Sequence, residues 1–340
     1  MKNSFFRIGI YFFLAIIFGI IAFYVFAPMN KEDETVYLYI DDNDTPDSLF
    51  NKIGEHCHEY GATAVMTLSR HFNDDLTLRP GRYAISPSAN AFMLFRDLRN
   101  GKQSPLNLVI SEVRTRDKLA DIIAPHLMMS KEQLLRYLNN NDSLAFLGTG
   151  IDTCTVIALF MPYTYEVYWN ISPRQLLKKM QENHKVFWND ERKAKAKALG
   201  LTPIEVQTLA SIVDEETNYQ PEKPTVAGMY YNRLKTDMPL QADPTVKFAL
   251  QNFTLKRIYN NMLLYPSPYN TYYNTGLPPG PIRIASVAGI DAVLNLHHHD
   301  FLYMCAKDDL SGSHVFATTY PEHLQNAAKY TAALNARGIK

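Results

Sequence analysis

Residues 8 to 27 read IGIYFFLAIIFGIIAFYVFA, without a single charged side chain. Wound as a helix at about 1.5 Å per residue, a run of this length crosses the hydrocarbon core of a bilayer, about 30 Å. Lys2 and Arg7 precede it, and Glu32, Asp33 and Glu34 follow soon after. The positive-inside rule then leaves the N-terminus in the cytoplasm and the rest of the chain on the external face of the inner (cytoplasmic) membrane. A cleaved signal peptide would have a shorter apolar region ending in small residues. The exit here is YVFAPMN, which predicts an uncleaved, single-pass anchor carrying one large external part.

The remaining composition narrows the function classes. The chain has 340 residues, 46% hydrophobic and 20% charged, enough for a substantial core. Its 34 basic residues balance 34 acidic ones, so there is no electrostatic footprint for nucleic acid. Three scattered cysteines, Cys57, Cys154 and Cys305, are not a disulfide framework. Cys57 stands between two histidines in GEHCHEY, which suggests a metal ligand. Leu49, Ile53 and Cys57 recur at helical spacing, however, so a buried helix face is the expected place. His297-His298-His299-Asp300 is the other metal-like run. Consecutive histidines on a loop rarely converge on one ion, and a turn is expected there. No metal or cofactor is predicted.

The pattern along the chain predicts an α+β fold. ETVYLYI (34–40) alternates like a strand, and Thr45-Pro46 opens a helix carrying Leu49, Phe50 and Ile53. RPGRYAI (79–85) reads as a turn and strand. Ser88 is expected to cap a helix with Phe92, Phe95 and Leu98 inward and Gly101 as its stop. PLNLVI (105–110) closes this part as a strand. Ser130-x-x-Gln133, Ser172-x-x-Gln175 and Thr202-x-x-Glu205 are capping boxes. ERKAKAKALG (191–200) is a solvated helix. The expected division is 1–33 as N-terminus, anchor and linker, 34–107 as a small α+β unit, and 108–340 as a larger mixed domain.

The helix opened by Thr202 and Pro203 ends in three acids, LASIVDEET (209–217). With Leu209 as zero and about 100° per residue, Val206, Ile212 and Val213 lie within about 60° and Glu216 within about 20°. Asp214 and Glu215 point about 140° and 120° away on opposite sides, toward solvent. Glu216 thus lies in line with the apolar stripe at the C-terminal end of a helix. Desolvation and the helix dipole both disfavour its charged form there. A carboxyl kept protonated near neutrality suits a general acid. The geometry equally allows a frayed helix end or a structural salt bridge. Downstream, Asp243-Pro244 reads as an N-cap and first helical residue. YNTYYNTGLPPGPI (269–282) reads as a rigid polar loop lined with aromatics.

Several segments carry a resemblance: ASIVDEET, NRL, MPLQADPTV, YNTYYNTGLPPGPI and SHVFATTYPEH, in order over 205–325, with ALFMPYTYEVYW (158–169) before them. Together they resemble the YceG-like family of MltG-type endolytic murein transglycosylases. The first unit, with its PGRY stretch, is similar to the LysM-like subdomain of such proteins. The family's essential residue is the second acid of an E-x-E-T motif, which lands on Glu216; the first acid of the motif is Asp214 here. The resemblance also implies substrate contacts at Gln241, Asp243, Tyr269, Asn270 and Thr271, and more loosely at Tyr165, Asn232 and His314.

The resemblance implies cleavage of nascent peptidoglycan glycan strands between N-acetylmuramic acid and N-acetylglucosamine, with 1,6-anhydromuramic ends and limited strand length. One carboxyl used as acid and then as base suffices, so a second catalytic acid is not required. Peptidoglycan synthases are the expected protein partners. Two rival readings are a muramidase, with Asp243 as its second carboxylate, and a glycan-binding scaffold without activity.

Overall fold

The computed structural model describes residues 2–72, 79–255 and 257–338, with side chains from Phe5 onward. The chain mixes helices with short strands and divides into two compact units. One comprises Met1–Leu108 with His126–Met129 and Glu166–Ile171; the other comprises Val109–Pro125, Ser130–Tyr165 and Ser172–Lys340.

In the first unit α1 (Lys2–Phe26) is the apolar N-terminal helix. Its Phe5–Phe26 stretch is long and apolar enough to cross a membrane, and none of the most apolar part is buried by protein. Its last turn meets the rest of the unit through Phe23 on Tyr60 and Phe26 on Phe92. Strands β1 (Val36–Ile40) and β2 (Gly81–Ile85) pair antiparallel, Val36 opposite Ile85 and Ile40 opposite Gly81. Leu38 and Ile40 point into the core and Tyr37 and Tyr39 outward, as period-two patterning requires. Helices α2 (Pro46–His56), α3 (Glu59–His71) and α4 (Ala91–Asn100) complete the core with Leu49, Ile53, Val65, Leu94 and Phe95. Cys57 is fully buried at the end of α2, and burial pushes its thiol up to about 11. The cap of α4 is Asn90, whose side chain accepts from Met93 N. Ser88 is not the cap, because the helix begins two residues beyond the expected point. Phe92 consequently turns outward while Phe95 and Leu98 stay buried. Gly101 ends the helix in the left-handed conformation, with φ 64°.

Strand β3 (Leu106–Val109) spans the point in the sequence where the first unit ends at Leu108 and the second begins at Val109. The second unit opens with α5 (Arg116–Ile123), α6 (Lys131–Leu138) and α7 (Asn141–Leu144). Then come β4 (Thr164–Val167), α8 (Pro173–Phe187) and α9 (Asp190–Ala198). The capping boxes at Ser130 and Ser172 form as the sequence predicts. The central helix is α10 (Pro203–Glu216), started by the reciprocal Thr202–Glu205 capping box. Around it pack α11 (Lys223–Lys235), α12 (Asp243–Ala249) and α13 (Val287–Leu294). A hairpin of β5 (Tyr303–Ala306) and β6 (His314–Ala317), backed by α14 (Tyr320–Ala336), closes the unit.

Helix α10 is buried on every side from Val206 to Asp214, its polar residues included. Gln207 takes up bonds from His184 and Trp188 and donates to Ala158 O. The expectation that Asp214 and Glu215 face solvent is therefore wrong. Asp214 is buried against Lys223 at the start of α11 and accepts from Ser286 N and Oγ at the cap of α13. Glu215 forms ion pairs with Arg114 and Arg283. A helical wheel resolves one apolar stripe, whereas here cations and caps from distant segments cover the other faces.

Gly289 shows how tight this packing is. A methyl on its Cα would meet the Asp214 carboxylate, which Lys223 and Ser286 already hold in place. Gly289→Ala should lower stability by about 1–3 kcal/mol through overpacking, although alanine favours an exposed helix by about 1 kcal/mol. A denaturant midpoint equal to wild type would mean that the carboxylate yields.

Candidate active site

Helix α10 carries Glu216 to its last position, and Thr217 leaves the helix in an extended conformation. The carboxyl is half-buried at one wall of an open cleft of about 550 Å3, mouth included. Tyr230, from α11, donates its phenol to Oε1 of Glu216 at 2.7 Å. Burial pushes the Glu216 carboxyl up to about 7; the Tyr230 bond opposes this, and the nearby Asp243 charge adds to it. The Tyr230 phenol is itself raised well above its ordinary value, chiefly by burial, so it stays a donor across the physiological range.

Asp243 lines the same cleft. It is the first residue of α12 and not its cap; Ala242 stands at the cap position and no side chain closes the turn. The Asp243 carboxylate is occupied elsewhere, accepting from Tyr272 Oη at 2.7 Å. Gln241 lines the same cleft from a left-handed backbone, φ 51°. Its backbone N–H donates to Thr271 O. Arg233 braces this turn by donating to Leu240 O at 2.8 Å and also to Leu302 O.

His314, on β6, also lines the cleft. Its Nδ1 lies 2.8 Å from Oε1 of Glu222, and its backbone N–H donates to Oε2 of the same carboxylate. Burial raises the Glu222 carboxyl, but bonds from His314 and Thr217 outweigh it and hold Glu222 below the usual carboxylate range. An ionised Glu222 can only accept, which assigns the proton to Nδ1 and leaves Nε2 of His314 to the cleft.

The cleft therefore gathers Glu216, Gln241, Asp243 and His314 of the residues expected from the sequence. Asn270 and Thr271 stand behind it, fully enclosed. Asn270 donates to Leu263 O and Tyr265 O, and Thr271 Oγ1 bonds Ala242 N and Thr245. They tie together the two segments that carry Gln241 and Tyr272 and do not line the cleft. Tyr269 lines a different cavity, its ring tilted against Phe248 with centroids 4.7 Å apart. Tyr165 is in the core with its hydroxyl on Met161. Asn232 pins His299 O and Phe301 O. The histidine run is likewise structural in its bonds: His297 N donates to Pro224 O, and His299 Nε2 lies 3.0 Å from Thr225 O.

Sequence reasoning missed Tyr230, Arg233, Tyr272 and Glu222. Tyr230 is one of two adjacent tyrosines, and Tyr272 one of three in YNTYY; only packing decides which of them faces the acid. Tyr230→Phe should raise the Glu216 pKa further, by roughly one unit, since a bond to the charged form is lost. A carboxyl 13C titration of labelled protein reads this shift, and an unchanged or lower value would contradict the bond.

The model of the YceG-like family matches residues 38–329. The chain belongs to the YceG-like family. Among curated relatives of this YceG-like chain, it is 40% identical over 130 residues to the endolytic murein transglycosylase of Bacillus subtilis, covering 38% of this chain and 35% of that one. It is 26% identical over 285 residues to the protein of the same name from Streptococcus pneumoniae R6, covering 74% and 51%. The chain thus spans about half or less of the length of these relatives. A crystal structure of a YceG-like protein from Listeria monocytogenes superposes with a TM-score of 0.56 at 26% identity, covering 86% of this chain and 99% of that one.

Proposed function

We propose that this YceG-like protein is an endolytic lytic transglycosylase of peptidoglycan, held to the inner membrane by α1 with its two units outside. The observation that carries the reading is Glu216, a carboxyl raised to about 7 by burial and bonded by a tyrosine at the wall of a polar cleft. Relatives named endolytic murein transglycosylase support it.

Protonated Glu216 gives its proton to the glycosidic oxygen as the bond from muramic C1 breaks and the electron pair leaves with the N-acetylglucosamine O4. Positive charge develops at C1, where the Asp243 carboxylate, held by Tyr272, favours it electrostatically. The Glu216 carboxylate, steadied by Tyr230, then takes the proton of the muramic C6 hydroxyl as O6 closes onto C1. The acid is restored, no water enters, and the product ends in a 1,6-anhydro sugar. Gln241 and the His314–Glu222 pair offer polar contacts to hydroxyl and acetamido groups. The first unit, LysM-like in its pattern of strands and helices, would hold the strand, and wall synthases would supply it.

Digestion of uncrosslinked, polymerised glycan with the detergent-solubilised chain, read by mass spectrometry of the new ends, tests the proposal. Anhydromuramic ends are expected. Ends heavier by one water would instead favour a muramidase with Asp243 activating that water, because it is the other carboxylate in the cleft. Binding without cleavage would favour a scaffold.

A further inference from the structure

A second cavity, separate from the cleft, opens in the same unit. It encloses about 710 Å3 including its mouth. Its lining mixes polar and basic residues, among them Arg114, Arg116, Thr153 and Ser267, with apolar and aromatic ones, among them Ile157, Phe248, Tyr269 and Pro281. Gly280 makes this shape possible. A side chain there would strike the backbone of Cys154, so only glycine lets the GLPPGPI loop close against residues 154–155.

The charges around the cavity are unequally engaged. Arg114 is bidentate on Glu215, which Arg283 also pairs. Oδ1 of Asp152 is taken up by Cys154 N, Thr155 N and Thr155 Oγ1. Arg116 donates Nη1 to Leu138 O. Among the described residues no partner bonds its Nε or Nη2, so this cation is left to the cavity. The start of α5, where Arg116 stands, adds the positive end of a helix dipole.

A half-basic, half-apolar cavity suits a carboxylate borne on small aliphatic residues better than a phosphate, which needs polar donors all round. Its position points to the source. Asp243, at the start of α12, lines the cleft, while Phe248, five residues on, lines the cavity. That is about 7.5 Å along the helix axis, within reach of three extended peptide residues at about 3.3 Å each. Lys247 and Phe248 line a small groove along the same helix.

We infer that this cavity is a subsite for the peptide stem of the glycan strand, with Arg116 receiving a stem carboxylate and Phe248 and Tyr269 flanking its aliphatic side chains. The inference rests on the transglycosylase reading for its substrate. It assigns Tyr269 to the stem and not to the sugar at the point of cleavage, and makes the enzyme selective for strands that still carry peptides.

The test is binding of two labelled strands of equal length, one with stems and one stripped by an amidase, to the full Glu216→Gln chain in detergent. Stem-bearing strands should bind roughly tenfold tighter, the size of one charge-assisted contact. The ratio should fall toward one when Arg116→Gln is added, and also when Thr153→Tyr fills the cavity while leaving the Arg116–Leu138 bond intact. Arg116→Lys should restore part of it. Equal binding of both strands, or a preference unchanged by both the Gln and the Tyr substitutions, overturns the inference. Failure of the transglycosylase reading shows separately: the wild-type chain would cut neither strand while the binding preference persists.

Discussion

Glu216→Gln should remove the proposed strand cleavage and make the folded protein more stable at pH 8. On the proposed mechanism the residue is both acid and base, so the fall in kcat should reach roughly 10^3- to 10^4-fold, the upper end for general acid–base groups. The stability gain follows from linkage. The folded carboxyl titrates at about 7 and the unfolded one at 4.5. Between these values the folded chain holds a proton that the unfolded chain has released, so stability is full below 4.5 and falls as pH rises toward 7. The whole loss is at most about 3 kcal/mol, reduced by whatever water reaches this half-buried group. Glutamine keeps an acceptor for Tyr230 and cannot ionise, so the variant should exceed wild type at pH 8 and match it near pH 4. Wild-type kcat/KM should hold below about pH 7 and fall about tenfold per unit above it, as the acid is lost. Denaturant midpoints at both pH values and a pH–rate profile check the pair of results. A variant less stable than wild type at pH 8 would mean that Glu216 is a paired, structural anion.

Lys223→Met should cost about 3–5 kcal/mol. The side chains of Lys223 and Asp214 are 5% and 2% exposed, and no water can replace the lost partner. The substitution leaves the Asp214 charge buried with only Ser286 N and Oγ to hold it. These three residues join the end of α10, the start of α11 and the cap of α13, and Asp214 stands two residues before the proposed catalytic acid, Glu216. The same change should therefore also weaken cleavage by misplacing Glu216. Pairing it with Asp214→Leu should recover much of the stability, because two apolar groups leave no stranded charge. A single-variant loss under about 1 kcal/mol would show that the pair is hydrated and incidental.

Local signals were legible wherever the physics is local. The Thr202, Ser130 and Ser172 caps, the alternation of Leu38 and Ile40, the apolar run of α1 and the burial of Cys57 all depend on neighbours within a few residues. The Asn90 cap was misjudged because Ser88, Ser86 and Asn90 offer similar oxygens within five positions, and only the docking of α4 selects one. Asp243 was read as a cap on the same local grounds. Tyr272, far away in sequence, draws its carboxylate into the cleft instead.

By itself the sequence determined that this chain carries a membrane-length helix and an acid in line with an apolar helix stripe, since both depend on spacing along one helix. Only the tertiary structure decided that Asp214 and Glu215 are held in buried or bridged ion pairs, that Tyr230 is the donor to Glu216, and that Asn270, Tyr165 and Asn232 hold the scaffold together. A polar side chain's role is set by what covers it, and at these positions the covering groups come from segments up to about a hundred residues away.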